Sequence, residues 1–418
     1  MKKLFLSSLV ILTVHISFAQ LTKEIFYKSL FGKDSLVDYV LLNKEKFRLQ
    51  FVVTDIQRDT LGLPSFTTFD FSTDSYFYPA SLVKLPTAIA TLEIMDSLLI
   101  PLDAYIKMQS DVECGNNDFA QATQIRNIQL GLAMENLISI SDNKNYSLFF
   151  HFVGPKELNN KLKRQGLSKT HIYSSFSGCP RGENVETNSF SIFNSLGILL
   201  HTKPVTFMES TSYINNLPYS SNKLIGRQQI KNGKIINKAY DFNYNLDYSL
   251  NDIHNTLFKL VFPKHFASEQ AFKISEKSRR FLLNLLAKYP REMQDKSYHN
   301  LKLYPDNFYK YSIIGNNNSL ASSGQYRIFS KIGISYGFVT ETAYIVDFKK
   351  KKDYIFSISI YVNQDEIIND GVYEYENIAR PFIANLSRII QDNLSHSSNK
   401  ITSYTDAYFN EINVIIEP

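Results

Sequence analysis

The sequence predicts an α/β protein of the α+β type: an antiparallel sheet with flanking terminal helices plus a mainly helical lobe. Three observations lead there. Strand-like runs stand near the two ends of the chain, at 47–71 and 326–362. Apolar runs of helical period fill the middle, and an amphipathic stretch, 377–394, follows the last strand. Helices between two sets of strands suit a sheet closed from both ends, with the central helices as a second lobe. At 418 residues the chain can build a sizeable core, and no repeat array suggests another architecture.

Taken in order, Met1–Gln20 has a signal-peptide pattern. Lys2 and Lys3 precede an apolar run from Leu4 to Phe18, and Ser17-Phe18-Ala19 is a small-x-small cleavage site. Residues 1–19 therefore read as a leader, and the protein as periplasmic or secreted. The apolar run is too short for a membrane span, and nothing later reaches that length. Without the leader 43 basic and 40 acidic residues remain, a net charge of about +3 that does not suit a nucleic-acid partner.

Residues 21–48 look helical, 47–56 read as a strand, Gly62 and Pro64 mark a turn, and 65–71 form a partner strand. A buried helix begins near Ser81. From about 96 to 200 the pattern is mostly helical, with helices at 130–140, 143–152, 157–164 and 190–200 and a polar loop at 178–188. Residues 202–265 are Asn- and Tyr-rich and weakly periodic, and read as an insertion. A clear helix returns at 275–289. Strands follow at 326–331, 340–348 and 354–362, with four lysines at a solvated hairpin tip. The expected organisation is an α/β lobe from 20–75 and 310–395, a helical lobe from 76–309, and a tail at 396–418. A cleft between the lobes would take a small-molecule substrate, and the protein is expected to be a monomer.

Ser81 and Lys84 share a helix face at the start of the buried run. A hydroxyl is a weak nucleophile until a base takes its proton, and a lysine serves only if burial or a neighbouring cation lowers its pKa. The spacing alone is not specific, because Ser141/Lys144, Ser220/Lys223 and Ser397/Lys400 repeat it. Two further strings give it weight. Ser141-Asp-Asn143 lies between two helices, and Lys331-Ile-Gly333 lies on a strand.

Ser-x-x-Lys, Ser-Asp-Asn and Lys-x-Gly in this order, each in the fitting context, resemble the motif set of class A β-lactamases and penicillin-binding proteins. The resemblance covers most of residues 35–395 and implies a β-lactamase/transpeptidase-like fold. It implies Ser81 as the acylated nucleophile, Lys84 as its base, and Ser141 as the relay that protonates the leaving nitrogen. Asn143 would hold the substrate amide, Lys331 would attract its carboxylate, and the N–H groups of Ser81 and Ile334, next to Gly333, would form the oxyanion hole. Asp142 is expected to cap the helix after it. Ile332 replaces the family's threonine, and Ser335 is a candidate to supply the missing hydroxyl. Glu183 and Glu186 are weak candidates for the deacylation base, since their loop looks shortened.

Cys114 and Cys179 would border the cleft in this fold. A disulfide between them, stabilising by roughly 4 kcal/mol in the chain-entropy model, and two separate buried thiols are both open. Two cysteines and no His-Glu-x-x-His give no zinc site, so no metal or other cofactor is expected. Gly333-Ile-Ser-Tyr-Gly337 matches a hydrolase nucleophile elbow, but residues 338–348 read as a strand where the elbow needs a helix. The function implied is a serine acyl-hydrolase that opens β-lactam amide bonds. A D-alanyl-D-alanine peptidase and a non-hydrolytic β-lactam sensor are the alternatives.

Overall fold

The computed structural model describes residues 23–59, 62–71, 75–109, 127–176, 185–208, 220–243 and 246–394. The expected leader, Cys114, Cys179, Glu183 and the expected tail at 396–418 lie outside these.

Five antiparallel strands form the central sheet, in the order β7 (Tyr326–Ser335), β8 (Phe338–Asp347), β9 (Lys352–Tyr361), β1 (Gln50–Arg58), β2 (Pro64–Phe71). The two ends of the chain meet where β1 pairs with β9, Gln50 opposite Ser359 through Asp55 opposite Tyr354. Val, Ile, Phe and Thr dominate these strands, which suits a sheet buried on both faces. On one face, α1 (Ser35–Leu42) and α8 (Arg380–Asn393) cover a core containing Val37, Val40, Phe51, Ile332, Ile358, Phe382 and Leu386. Asp34 caps α1 by accepting from the Val37 N–H at 2.9 Å.

On the other face stand α2 (Lys84–Ser97), α3 (Leu130–Ser139), α4 (Asn143–Val153), α5 (Pro155–Arg164), α6 (Leu250–Val261) and α7 (Glu276–Ala287). Nearly every residue of α2 is buried, so it is the core helix of this layer rather than an amphipathic surface helix. The sheet meets α6 through hydroxyls: His254 lies between Thr54 Oγ1 (2.7 Å) and Ser357 Oγ (3.0 Å). Burial lowers the His254 pKa to about 3, so the ring is neutral and one nitrogen donates while the other accepts.

Two sequence expectations are corrected. Residues 190–200 are not a helix but a hairpin, β5 (Ser189–Phe193) and β6 (Leu199–Lys203), in a four-stranded sheet with β3 (Tyr105–Gln109) and β4 (Asn127–Gln129). Phe190 and Ile192 are buried between half-exposed neighbours, a period of two, and Gly197 with φ +79° turns the chain. The stretch from 96 to 200 is thus less helical than its composition suggests. In the 202–265 stretch, Leu224–Ile225 pairs with Tyr240–Asp241, and Gln228–Lys231 pairs with Lys234–Ile236; α6 then follows. The nucleophile-elbow alternative also ends here, because Phe338 opens β8 and not a helix.

Arg58 and the buried Asp353 tie β1 to β9: Nη2 donates to Oδ2 at 2.8 Å, and Tyr344 Oη donates to the same oxygen at 2.7 Å. Asp353→Asn breaks a buried pair and leaves the guanidinium without its counter-charge. It is expected to cost about 3–5 kcal/mol in urea unfolding; a loss below about 1 kcal/mol would show that this pair does not hold the two chain ends together.

Candidate active site

A 3-10 turn, Ala80–Val83, leads into α2, so Ser81 sits on the tight turn and Lys84 is the first α-helical residue. Neither segment has a side-chain cap, and the cap positions fall on Pro79 and Val83. Ser81 is therefore not the helix cap that its residue type allows. It is half-buried, and its hydroxyl makes no hydrogen bond among the described residues.

The Lys84 amine is fully buried and points at the loop before α4. It donates to the Ser141 carbonyl, to Ser141 Oγ (3.1 Å) and to Asn143 Oδ1 (2.7 Å). Asp142 caps α4 by accepting from the Asn145 N–H at 2.7 Å, as expected, which frees Asn143 to face the amine. From the sheet, Lys331 donates to the same Ser141 Oγ at 2.8 Å and to the Ile332 carbonyl at 3.2 Å. Two amines thus converge on one hydroxyl. No carboxylate accepts a hydrogen bond from either amine among the described residues.

Burial lowers the Lys84 pKa to about 7, against a smaller opposing pull from Asp142. Burial also pushes Lys331 well below the usual lysine range, helped by Lys84 and by Lys310. Lys310 is a further buried amine close to Lys331, donating to the carbonyls of Leu286 (2.6 Å) and Ile328 (2.8 Å), with its pKa lowered to about 7 by burial.

Strand β7 is the sheet edge that approaches Ser81. A Cβ on Gly333 would lie 2.3 Å from the Pro79 carbonyl and 3.0 Å from the Ser81 nitrogen, so only glycine permits this approach. The Phe348 N–H donates to the Gln325 carbonyl at 2.9 Å, which fixes the odd-numbered residues of β7 as those bonded to β8. The N–H and C=O of Ile332 and Ile334 then point to the open edge. Side-chain donors confirm the alternation at the Tyr326, Ile328 and Ile332 carbonyls. Lys331, Gly333 and Ser335 share the face toward α2. Ile332 packs in the core under α1 and α8, so an aliphatic side chain at this position serves packing.

Three residues around Lys84 hold positive φ without being glycine, Ala80 (+46°), Ser141 (+61°) and Phe176 (+58°), and Tyr336 (+56°) does so farther along, in the turn after β7. Each costs of order 1–3 kcal/mol, and such strain collects where side-chain placement matters. The Phe176 ring stands 5.8 Å from the Lys84 amine and 4.7 Å from the Tyr146 ring. It contributes to the dry surroundings of the Lys84 amine. Phe176, Lys310 and Tyr336 carry no motif signal and were not read from the sequence. Glu186 lies in a two-residue strand, Val185–Glu186, paired with Phe207–Met208.

The described residues hold no cluster of three His, Cys, Asp or Glu side chains arranged to bind a metal, and no helix long and apolar enough to cross a membrane.

Residues 35–200 match the family described as the beta-lactamase enzyme family. The match contains Ser81, Lys84, Ser141 and Asn143 but not Lys331, whose place beside Ser141 comes from the fold. Solved structures similar to the chain include the TLA-3 extended-spectrum beta-lactamase, 15% identical over 87% of this chain and 99% of that one, TM-score 0.49. A class A beta-lactamase from Bacteroides cellulosilyticus DSM 14838 is 14% identical over 87% and 98%, TM-score 0.47. A beta-lactamase from Chitinophaga pinensis DSM 2588 is 13% identical over 87% and 100%, TM-score 0.48. No curated protein sequence matches the chain.

Gly333→Ala is expected to push the Ser81 turn away from β7 and to cost roughly 1–3 kcal/mol by overpacking. Unchanged urea unfolding in that variant would contradict the close approach. Lys310 gives a pH signature. Its folded pKa is near 7 and its unfolded value is the ordinary lysine one, so between them the unfolded chain binds the extra proton and stability rises with pH. Lys310→Met should flatten that rise above pH 7 by up to about 1.4 kcal/mol per pH unit. An unaltered slope would show that the amine stays charged in the fold.

Proposed function

We propose that this chain, β-lactamase-like over residues 35–200, is a serine acyl-hydrolase that is acylated on Ser81 by β-lactams or related cyclic amides. The observation that carries the reading is the convergence of Lys84 and Lys331 on Ser141 Oγ, with Asn143 Oδ1 accepting from Lys84 and no carboxylate bonded to either amine among the described residues. A buried amine that titrates near neutrality can accept the Ser81 proton as Oγ attacks the amide carbon. The carbonyl oxygen takes up negative charge, and the N–H groups of Ser81 and Ile334 are the donors available to it at the β7 edge. As the carbon–nitrogen bond breaks, the proton passes from Lys84 through Ser141 Oγ to the leaving nitrogen. Water then releases the acyl group and restores Ser81. Lys331 receives the substrate carboxylate and Asn143 its amide, with Ser335 the nearest hydroxyl on the same strand face. The leader pattern supports a periplasmic or secreted setting.

A second reading is a D-alanyl-D-alanine peptidase or a β-lactam sensor that keeps its acyl group. The Phe176 ring favours it, since it stands 5.8 Å from the Lys84 amine and takes up space beside it that a hydrolytic water would need.

Fluorescent penicillin labelling followed by nitrocefin turnover separates these readings. Label with turnover supports the hydrolase; stable label with release of D-alanine from a peptide supports the peptidase; stable label alone supports the sensor. Absence of label in the wild type, with the fold intact, overturns acylation on Ser81. Lys84→Ala should lower labelling at least about 1,000-fold, as general-base loss predicts. The wild-type labelling rate should rise with pH through about 7, where Lys84 loses its proton. A flat rate from pH 6 to 9 would show that another group takes the serine proton.

A further inference from the structure

The 220–243 segment, outside the family match, reaches the nucleophile's edge of the sheet. Tyr240 sits opposite Ile225, and the Phe242 N–H donates to the Lys223 carbonyl at 2.9 Å, so the segment is bonded to itself on both sides of the ring. The Tyr240 ring lies 5.3 Å from Tyr336, and the Phe242 ring lies 5.4 Å from Tyr336 and 5.6 Å from Tyr78. Tyr78 meets Tyr336 edge-on at 5.1 Å and immediately precedes Pro79, whose carbonyl touches Gly333. Phe242 and Tyr78 are buried, and Tyr240 and Tyr336 are half-buried.

Tyr336 holds a φ of +56° in the two-residue turn between β7 and β8, beside Gly337 at +83°. Asparagine or glycine meets that geometry at less cost, so a tyrosine there is an expensive way to make a turn. Along β7 the order is Lys331, Gly333, Tyr336, and at about 3.3 Å per residue the backbone positions of Lys331 and Tyr336 are roughly 16 Å apart. A substrate lying on this edge, carboxylate at Lys331 and reacting carbonyl at Ser81, directs its acyl substituent toward Tyr336.

We propose that Tyr240 and Tyr336 form an aromatic wall that selects acyl donors carrying an aromatic ring on the acyl side. This rests on the proposed orientation of substrate along β7, and it gives the 220–243 segment a role as part of the cleft. Edge-on and offset ring pairs, each a modest gain, set the preference.

The test is calorimetric binding to Ser81→Ala, which cannot be acylated, so recognition is read apart from chemistry. Benzylpenicillin, with a phenylacetyl group, is compared with 6-aminopenicillanic acid, which lacks it. The expected result is about tenfold tighter binding of benzylpenicillin, a gap that Tyr240→Ala in the same background largely erases. Equal affinities, no measurable binding of either compound, or a gap that survives ring removal overturns the wall. If Tyr240→Ala fails to fold by near-ultraviolet circular dichroism, Tyr336→Asn reads the same gap at a position whose φ suits asparagine. A gap without acyl labelling of the wild type sinks the catalytic reading alone; labelling without a gap sinks the wall alone.

Discussion

The site depends on a charge that the fold declines to neutralise. Lys84 is buried at the first residue of the core helix and is given carbonyl and hydroxyl oxygens as partners, with no carboxylate bonded to it among the described residues. A carboxylate there would hold the amine protonated and useless as a base. Oxygens that accept a hydrogen bond without carrying full charge satisfy its donors and leave the proton loosely held. The Asp142 carboxylate comes closest to that role, and the α4 cap occupies it.

This constraint organises several elements at once. The start of helix α2 must be buried, which requires helices around it and the sheet on its other side. Ser141 must turn into the left-handed region to present both its carbonyl and its hydroxyl to Lys84. Strand β7 must come close enough for Lys331 to share that hydroxyl, and Gly333 permits the approach. β7 belongs to a sheet held together by the pairing of β1 with β9, so both ends of the chain contribute to placing one amine.

The three motif strings were legible in the sequence because the proposed chemistry needs particular residue types at fixed spacing. The Ser81–Lys84 turn, the Ser141–Asn143 loop and the Lys331–Gly333 strand fall in the elements expected of them. The sheet strands and the terminal helix were legible from period and β-branched content. The hairpin at 189–203 was misread because Leu196, Ile198, Leu199 and Leu200 are apolar yet exposed, and so imitate a helix stripe. Phe176, Lys310 and Tyr336 left no trace in the string. Phe176 and Tyr336 matter through backbone turns and ring contacts, and Lys310 through its burial beneath Lys331, all of which exist only in the folded chain. The 220–243 segment stayed opaque for a related reason: its strands are two to four residues long, too short for a period to show.

The most direct measurement of the central claim is a pH titration of the lysine side chains by NMR, with selective isotopic labelling and the Lys84 signal assigned by its loss in Lys84→Arg. The account predicts a Lys84 resonance that titrates near pH 7, well apart from the exposed lysines. A Lys84 signal that stays charged up to the ordinary lysine range would contradict it, because the serine would then have no neutral amine to receive its proton.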